Sequence, residues 1–259
     1  MSADPRRVAA HGATHPGKVR RQNEDGMLVD VQLGAFAVAD GMGGHNAGEV
    51  ASALALETFH SFLTRLQQDP DHTWPFGLDS RLDFNGNRLR TAVKLANRRV
   101  FRESETRDQC TGMGTTIAAL LVDGGCAAVC GVGDSRIYIV APDSIECLTR
   151  DHTWVEMLLS QNPDIDPQSV AAHPMRHVLT SVLGTQDDVE VTVASMSFGA
   201  ADRFLLCSDG VHGALDEERI AQIVVGAPSV KDAAERLVAE ALERDGRDNL
   251  TAVVVGAAA

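Results

Sequence analysis

Four aspartates close short apolar runs at points where the chain must turn, and each has a glycine or asparagine beside it. They are Asp40 in Val38-Ala39-Asp40-Gly41-Met42-Gly43-Gly44, Asp134 in Gly131-Val132-Gly133-Asp134-Ser135, Asp209 in Cys207-Ser208-Asp209-Gly210, and Asp248 in Arg247-Asp248-Asn249. A strand that ends at such punctuation delivers its carboxylate to the edge of a sheet. Four carboxylates converging there repel one another unless cations lie between them. The pattern therefore points to a site of hard oxygen ligands suited to Mg²⁺ or Mn²⁺.

The remaining periodicity supplies the frame. Gly26 to Asp30 and Ala35 to Ala39 read as strands around Gly34. Apolar residues recur at helical spacing over about 47–66 and 88–105. From Thr115 the period changes to short β-branched runs, Thr115 to Val122, Cys126 to Val132 and Ile137 to Val140, with hairpin punctuation between them. A brief helix over 153–161 opens a weakly patterned stretch. Strands follow at Val189 to Val193 and Arg203 to Cys207, then a helix over 230–244. The uninterrupted apolar run Leu250 to Val255 reads as a central strand. Hairpin-linked strands with helices in separate pairs predict an α+β fold of antiparallel sheets covered by helices. The expected organisation is a flexible N-terminus over 1–11, one domain over 12–256, and a flap over 152–180.

Composition narrows the function. A formal net charge of −13 lacks the basic footprint of a nucleic-acid binder. No apolar run reaches the roughly 18 residues of a membrane helix. The five cysteines have no paired zinc spacing and no signal peptide precedes them, so a cytoplasmic chain with reduced thiols is expected. Near the N-terminus, Arg20-Arg21-Gln22-Asn23-Glu24-Asp25 brings guanidinium and carboxylate groups together, and a guanidinium grips phosphate oxygens bidentately. Gly41 leaves its carbonyl open to close approach by a cation. Asn249 is placed to orient a neighbouring ligand. Cations, a phosphate-binding arginine and no Ser/His or Cys/Arg nucleophile loop suggest phosphoryl hydrolysis by activated water. Asp134 has a second reading, since Gly-Asp-Ser is also a good hairpin turn. His152, His173 and His177 read as surface or capping residues, and Asn46 to Glu49 as a helix start.

These segments, in this order, resemble the metal-dependent serine/threonine protein phosphatases of type 2C in their bacterial form. The resemblance runs through Gly17 to Arg20, Asn23 to Asp25, Val38 to His45, Gly114 to Thr116, Gly133 to Arg136, Leu148 to His152, Leu179 to Gly184, Cys207 to Gly210 and Asp248 to Thr251. It implies a four-layer sandwich, two antiparallel β-sheets flanked on each side by helix pairs. Asp40 would bridge two cations. Asp209 and Asp248 would hold the first, and Glu24 with the Gly41 carbonyl would help hold the second. Asp134 with Asp209 would support a third, weaker site. Arg20, chosen over Arg21 by the motif's register, would grip the substrate phosphate, with Asp25 and Asn249 supporting from behind.

A water or hydroxide bridging two cations, its pKa lowered from about 15.7 to roughly 7, would attack phosphorus in line. Animal relatives carry a histidine directly after the Asp-Gly where Met42 stands here, so a metal-bound water is the expected leaving-group acid; His45 is not assigned that role. The implied activity is hydrolysis of phosphoserine and phosphothreonine in proteins, opposing a serine/threonine kinase, without nucleic-acid or membrane partners. Two rival readings are an inactive phosphatase-like binding or regulatory module, and a metal-dependent nuclease or phosphodiesterase.

Overall fold

The structure, a computed structural model, describes residues 8–44, 47–69, 73–162, 164–166, 169–170 and 173–258. Its strands are β1 (Val8–His15), β2 (Asp25–Asp30), β3 (Ala35–Met42), β4 (Gly114–Thr115), β5 (Ile117–Asp123), β6 (Cys126–Val132), β7 (Arg136–Ala141), β8 (Ser144–Cys147), β9 (Val193–Ser197), β10 (Arg203–Cys207) and β11 (Leu250–Ala257). The helices are α1 (Ala47–Gln68), α2 (Phe84–Thr106), α3 (Trp154–Gln161), α4 (Asp209–His212), α5 (Glu217–Gly226) and α6 (Val230–Arg244). One antiparallel sheet runs β1-β11-β10-β7-β8; the other runs β2-β3-β5-β6-β9, with the short β4 beside β3.

Alternation along the strands sorts side chains into three cores. In β3, Phe36 and Val38 face the other sheet and, with Leu120 and Val129 of their own sheet, share a core with its Ile137, Phe204, Leu206, Val253 and Val255. Ala35, Ala37 and Ala39 point the opposite way, into a layer with Ala47, Ala51 and Ala55 of α1 and Ala92 and Ala96 of α2. On the far side, Leu205, Cys207, Ala252 and Val254 pack against Ile220, Val224, Ala234 and Leu237 of α5 and α6. The result is the helix–sheet–sheet–helix sandwich expected. Burying Phe36 or Phe204 is worth about 1.5–3 kcal/mol each.

Side-chain caps start several of the helices. Asp83 accepts from Gly86 N at 2.6 Å, Asp216 from Arg219 N at 2.8 Å and Ser229 from Asp232 N at 3.1 Å. As expected of a central strand, β11 is flanked on both sides, by β1 and β10.

Two expectations need correction, and one helix was not expected. The flexible N-terminus expected over 1–11 does not include Val8 to His11, which pair with Ala257 to Val254 in β1; residues 1–7 lie outside the described residues. The strand expected over 189–193 begins at Val193. Residues before it serve α2 instead: Asn97 Nδ2 donates to Gln186 O and Asp187 O, and Lys94 pairs with Asp188 at 2.7 Å. Helix α5 carries an Asp216 cap and Glu217 and Glu218 in its first turn, signals that the sequence reading passed over.

The segment over 152–180 leaves and returns at one neck. Trp154 N donates to Val178 O and Thr180 N to His152 O, both at 2.8 Å, and an antiparallel bridge joins Thr153 to Leu179. Among the described residues, no helix is long and apolar enough to cross a membrane.

Candidate metal centre

Antiparallel registration carries the predicted carboxylates to one end of the sandwich. Asp25 at the start of β2 pairs directly with Asp40 near the end of β3. Asp134 follows β6, and Asp209 follows β10 at the start of α4. Asp248 does not close an apolar run as expected; it follows a helix and stands two residues before β11, whose Ala252 pairs with Cys207. The backbone around Asp40 is pinned: its N donates to Thr116 Oγ1 at 2.9 Å, and its carbonyl accepts from Thr116 N at 2.8 Å and Thr115 Oγ1 at 2.9 Å. Gly133 holds the turn before Asp134 at φ +99, where a Cβ would meet Thr116 Cγ2 at 2.5 Å.

Acid strengths record how close these groups are. Burial, then Asp25, Asp209, Asp134 and Asp248, hold the Asp40 carboxyl well above the usual range. Burial and the nearby Asp209 and Asp248 push Asp25 up to about 7, against a hydrogen bond from Ser208 Oγ at 2.7 Å. Asp134 is pushed to about 7 by burial, Asp209 and Asp151. Asp209 is raised by burial and Asp248. Among the described residues, no three acidic, histidine or cysteine side chains close round a single point tightly enough to hold an ion as they stand. That spacing suits like charges facing one another across a cleft.

The donor set fits a hard divalent cation on two independent observations. The buried Oδ1 atoms of Asp25 and Asp209 meet no hydrogen-bond donor, a costly arrangement that a cation relieves. Glu24 and Gly41 also share a cradle that a side chain would fill. A Cβ on Gly48 would lie 2.6 Å from Glu24 Oε1 and 2.7 Å from Gly41 O, and a Cβ on Gly41 would lie 2.0 Å from Gly48 O. Gly48 thus belongs to the site, although the stretch from Asn46 to Glu49 read only as a helix start. A glycine inside a first helical turn, where alanine is favoured by about 1 kcal/mol, was the available signal. His45 lies outside the described residues.

Asn249 ties the N-terminal segment to this end. It is buried; its Oδ1 accepts from Glu24 N at 2.8 Å, and its Nδ2 donates to Pro16 O and Gln22 O, each at 2.9 Å. Arg20 does not stand free: its Nη2 donates to Asp248 Oδ2 at 2.7 Å. Both side chains are partly exposed, so this pair is weak, about 1 kcal/mol or less, and readily exchanged.

A cleft of about 940 Å³ opens above the cluster. Arg20, Asp134, Asp209 and Asp248 line it from the sandwich, and Thr153, Glu156, Arg176 and His177 from the flap segment. Arg136 braces one wall, donating to Asp151 through Nε at 2.9 Å and Nη2 at 2.7 Å and to Tyr138 OH through Nη1 at 3.0 Å. The sequence reading did not single out His212, which also lines the cleft. Burial pushes its ring down to about 4, so the neutral ring donates from Nε2 to Asp134 O at 3.0 Å. His152 Nδ1 accepts from Gly133 N at 3.2 Å, and His173 stacks on Trp154 with ring centroids 4.5 Å apart.

Known proteins resemble this chain in sequence and fold. The family model described as Protein phosphatase 2C matches residues 20–252. Serine/threonine protein phosphatase PstP of Mycobacterium tuberculosis is 36% identical over 239 residues; the match covers 92% of this chain and 43% of that protein. The chain thus spans less than half the length of this relative. Serine/threonine phosphatase stp of Listeria welshimeri is 30% identical over 249 residues, covering 93% of each chain. A crystal structure of the catalytic domain of PstP in complex with 2 manganese ions superposes with a TM-score of 0.79 at 31% identity, covering 97% of this chain and 99% of that one. The matched segment runs from Arg20 past Asp248 and so takes in every carboxylate of the cluster; the chain belongs to the protein phosphatase 2C family.

Proposed function

We propose that this chain is a metal-dependent protein-serine/threonine phosphatase, a phosphoric monoester hydrolase that removes phosphate from phosphoserine and phosphothreonine in other proteins. The observation that carries the reading is the set of mutually repelling, buried carboxylates with two donorless oxygens, in a chain of this family. Asp209 and Asp248 would hold the first of two Mn²⁺ or Mg²⁺ ions and Glu24 with the Gly41 carbonyl the second, with Asp40 serving both; Asp134 with Asp209 would hold a third, weaker ion. When bound, such cations acidify water and offset phosphoryl charge.

The chain's own residues do the rest. Arg20 exchanges its exposed partner Asp248 for two oxygens of the incoming phosphate and so orients phosphorus over the carboxylates. Asn249 holds the backbone of Glu24 while that exchange occurs. Asp25 lies in register with Asp40 and keeps that carboxylate in place through shared strand pairing. The flap over 152–180, closed at its neck, shapes the cleft that receives the phosphorylated segment.

The sandwich from Val8 to about residue 256 acts as one catalytic domain. Five free cysteines, one of them exposed, support a reducing cytoplasm as its compartment. Its role is bacterial signalling, in which it reverses the work of a serine/threonine kinase.

The test is hydrolysis of p-nitrophenyl phosphate and of phosphothreonine peptides with and without Mn²⁺. Activity is expected only with the cation and lost on chelation. Asp209→Ala is expected to lower kcat at least about a hundredfold. A folded Asp209→Ala protein with unchanged kcat would remove the assignment, and no turnover with any divalent cation would favour an inactive binding module.

A further inference from the structure

Helix α2 carries charge of the wrong sign for the rest of the molecule. Residues 84–107 hold seven of the 23 lysines and arginines but only two acidic residues, Glu103 and Glu105; elsewhere 16 basic residues face 34 acidic ones. Arg90, Lys94, Arg98 and Arg102 recur every fourth residue and so form one ridge about 18 Å long. Like charges at this spacing repel along a helix.

Local structure neutralises only part of the ridge. Lys94 pairs with Asp188 at 2.7 Å, and Arg90 lies near Asp79, which is already bound by Arg81. Glu103, on the buried side, is held by Arg107 and Arg99. Among the described residues, no carboxylate lies within ion-pair distance of the Arg98 or Arg102 side chain; Asp188 acts on Arg98 only from farther off. The Arg98 guanidinium instead lies over the half-buried Phe76 ring at 4.3 Å, beside Lys94 Nζ at 5.5 Å. An aromatic prop of this kind holds cations in position without cancelling their charge.

We infer that the Arg98–Arg102 end of α2 docks an acidic polypeptide segment of the phosphoprotein substrate. This deepens, and rests on, the phosphatase reading above. Same-face side chains of an extended strand repeat about every 6.7 Å, and ridge cations four residues apart repeat about every 6 Å, so successive carboxylates meet successive cations. The placement suits a substrate. Past Arg107 the chain enters β4, which pairs with Gly41 and Met42 at the carboxylate end. Asn97 and Lys94 also hold residues 184–188, which follow the flap. A bound segment therefore runs toward the cleft. A nucleic acid would need a broader positive surface than one ridge on an acidic protein supplies.

The experiment has a binding arm and a kinetic arm. Fluorescence anisotropy compares a labelled, unphosphorylated peptide carrying glutamate at alternate positions with its glutamine counterpart. Only the glutamate peptide is expected to bind, more weakly at higher salt. Arg98→Glu/Arg102→Glu is expected to reduce its affinity about tenfold. Arg98→Gln/Arg102→Gln should fall between, which guards against a folding defect in the reversal. Arg236→Glu on α6 imposes the charge change of a single reversal far from the ridge and should leave affinity within twofold.

In the kinetic arm, a phosphothreonine peptide with the acidic extension should show a KM raised about tenfold by the double reversal. Its kcat and the turnover of p-nitrophenyl phosphate should stay constant. Equal affinity for the two peptides, or an unchanged KM, overturns the proposal. So does capture of phosphatidylserine vesicles without binding of the acidic peptide. Absence of all phosphatase activity with intact glutamate-peptide binding would instead sink the phosphatase reading and leave the ridge as an acidic-segment site.

Discussion

A single missing methyl group decides how Glu24 and the Gly41 carbonyl come together. Gly48→Ala would improve the intrinsic helix propensity of α1 by about 1 kcal/mol. It would also set a Cβ 2.6 Å from Glu24 Oε1 and 2.7 Å from Gly41 O. The expected outcome is a melting temperature of the cation-free protein within a few degrees of wild type and Mn²⁺ affinity at least about tenfold weaker. Isothermal titration calorimetry checks this, and undiminished affinity would remove Gly48 from the site. At this scale, the gathering of Asp40, Asp209 and Asp248 at one end was legible in the sequence, because each stands at the beginning or end of a strand beside a turn residue. Gly48 was not, because a glycine at a helix start reads equally well as a cap. Nor was the Arg20–Asp248 pair, since nothing local relates residues so far apart along the chain.

Elements were legible where a period was strong. Helix α6 and strands β6 and β10 fall where apolar spacing put them. Strand β1 was missed because Val8-Ala-Ala-His-Gly-Ala-Thr-His15 has small and polar residues without alternation; it is a strand because β11 offers an unpaired edge. Its first half carries half of the register with β11, and Val8 is buried in the core between the sheets. Deleting residues 1–11 is therefore expected to cost about 3 kcal/mol or more, from lost backbone hydrogen bonds and burial. Urea unfolding would show it. A midpoint equal to that of the full chain would mean that β1 contributes nothing before Gly12.

Over the whole molecule, the acidic end makes stability depend on pH and on cations together. Asp25 and Asp134 are pushed to about 7 and Asp40 is raised as well, whereas the unfolded chain releases these protons near pH 4. Between about pH 4 and 7 the folded protein holds protons that the unfolded one has lost. Without cations, these groups therefore cost stability as pH rises through that window. In the proposed site, divalent cations would take the same oxygens once the protons leave. The rise in melting temperature caused by Mn²⁺ is thus expected to be larger at pH 7.5 than at pH 5. Differential scanning fluorimetry in chelator and in Mn²⁺ measures both, and equal increments at the two pH values would contradict the assignment of these carboxyls.

The alanine layer between β3 and α1 has a consequence beyond packing. Ala35, Ala37 and Ala39 against Ala47, Ala51 and Ala55 let a helix rest almost directly on a strand, and at the end of that seam Gly41 touches Gly48. The gauge of the proposed ion seat is therefore set from behind, by methyl groups that would never meet an ion. A bulkier residue in that seam would act as a wedge, prying helix from strand and loosening the grip at the far end without altering one ligand.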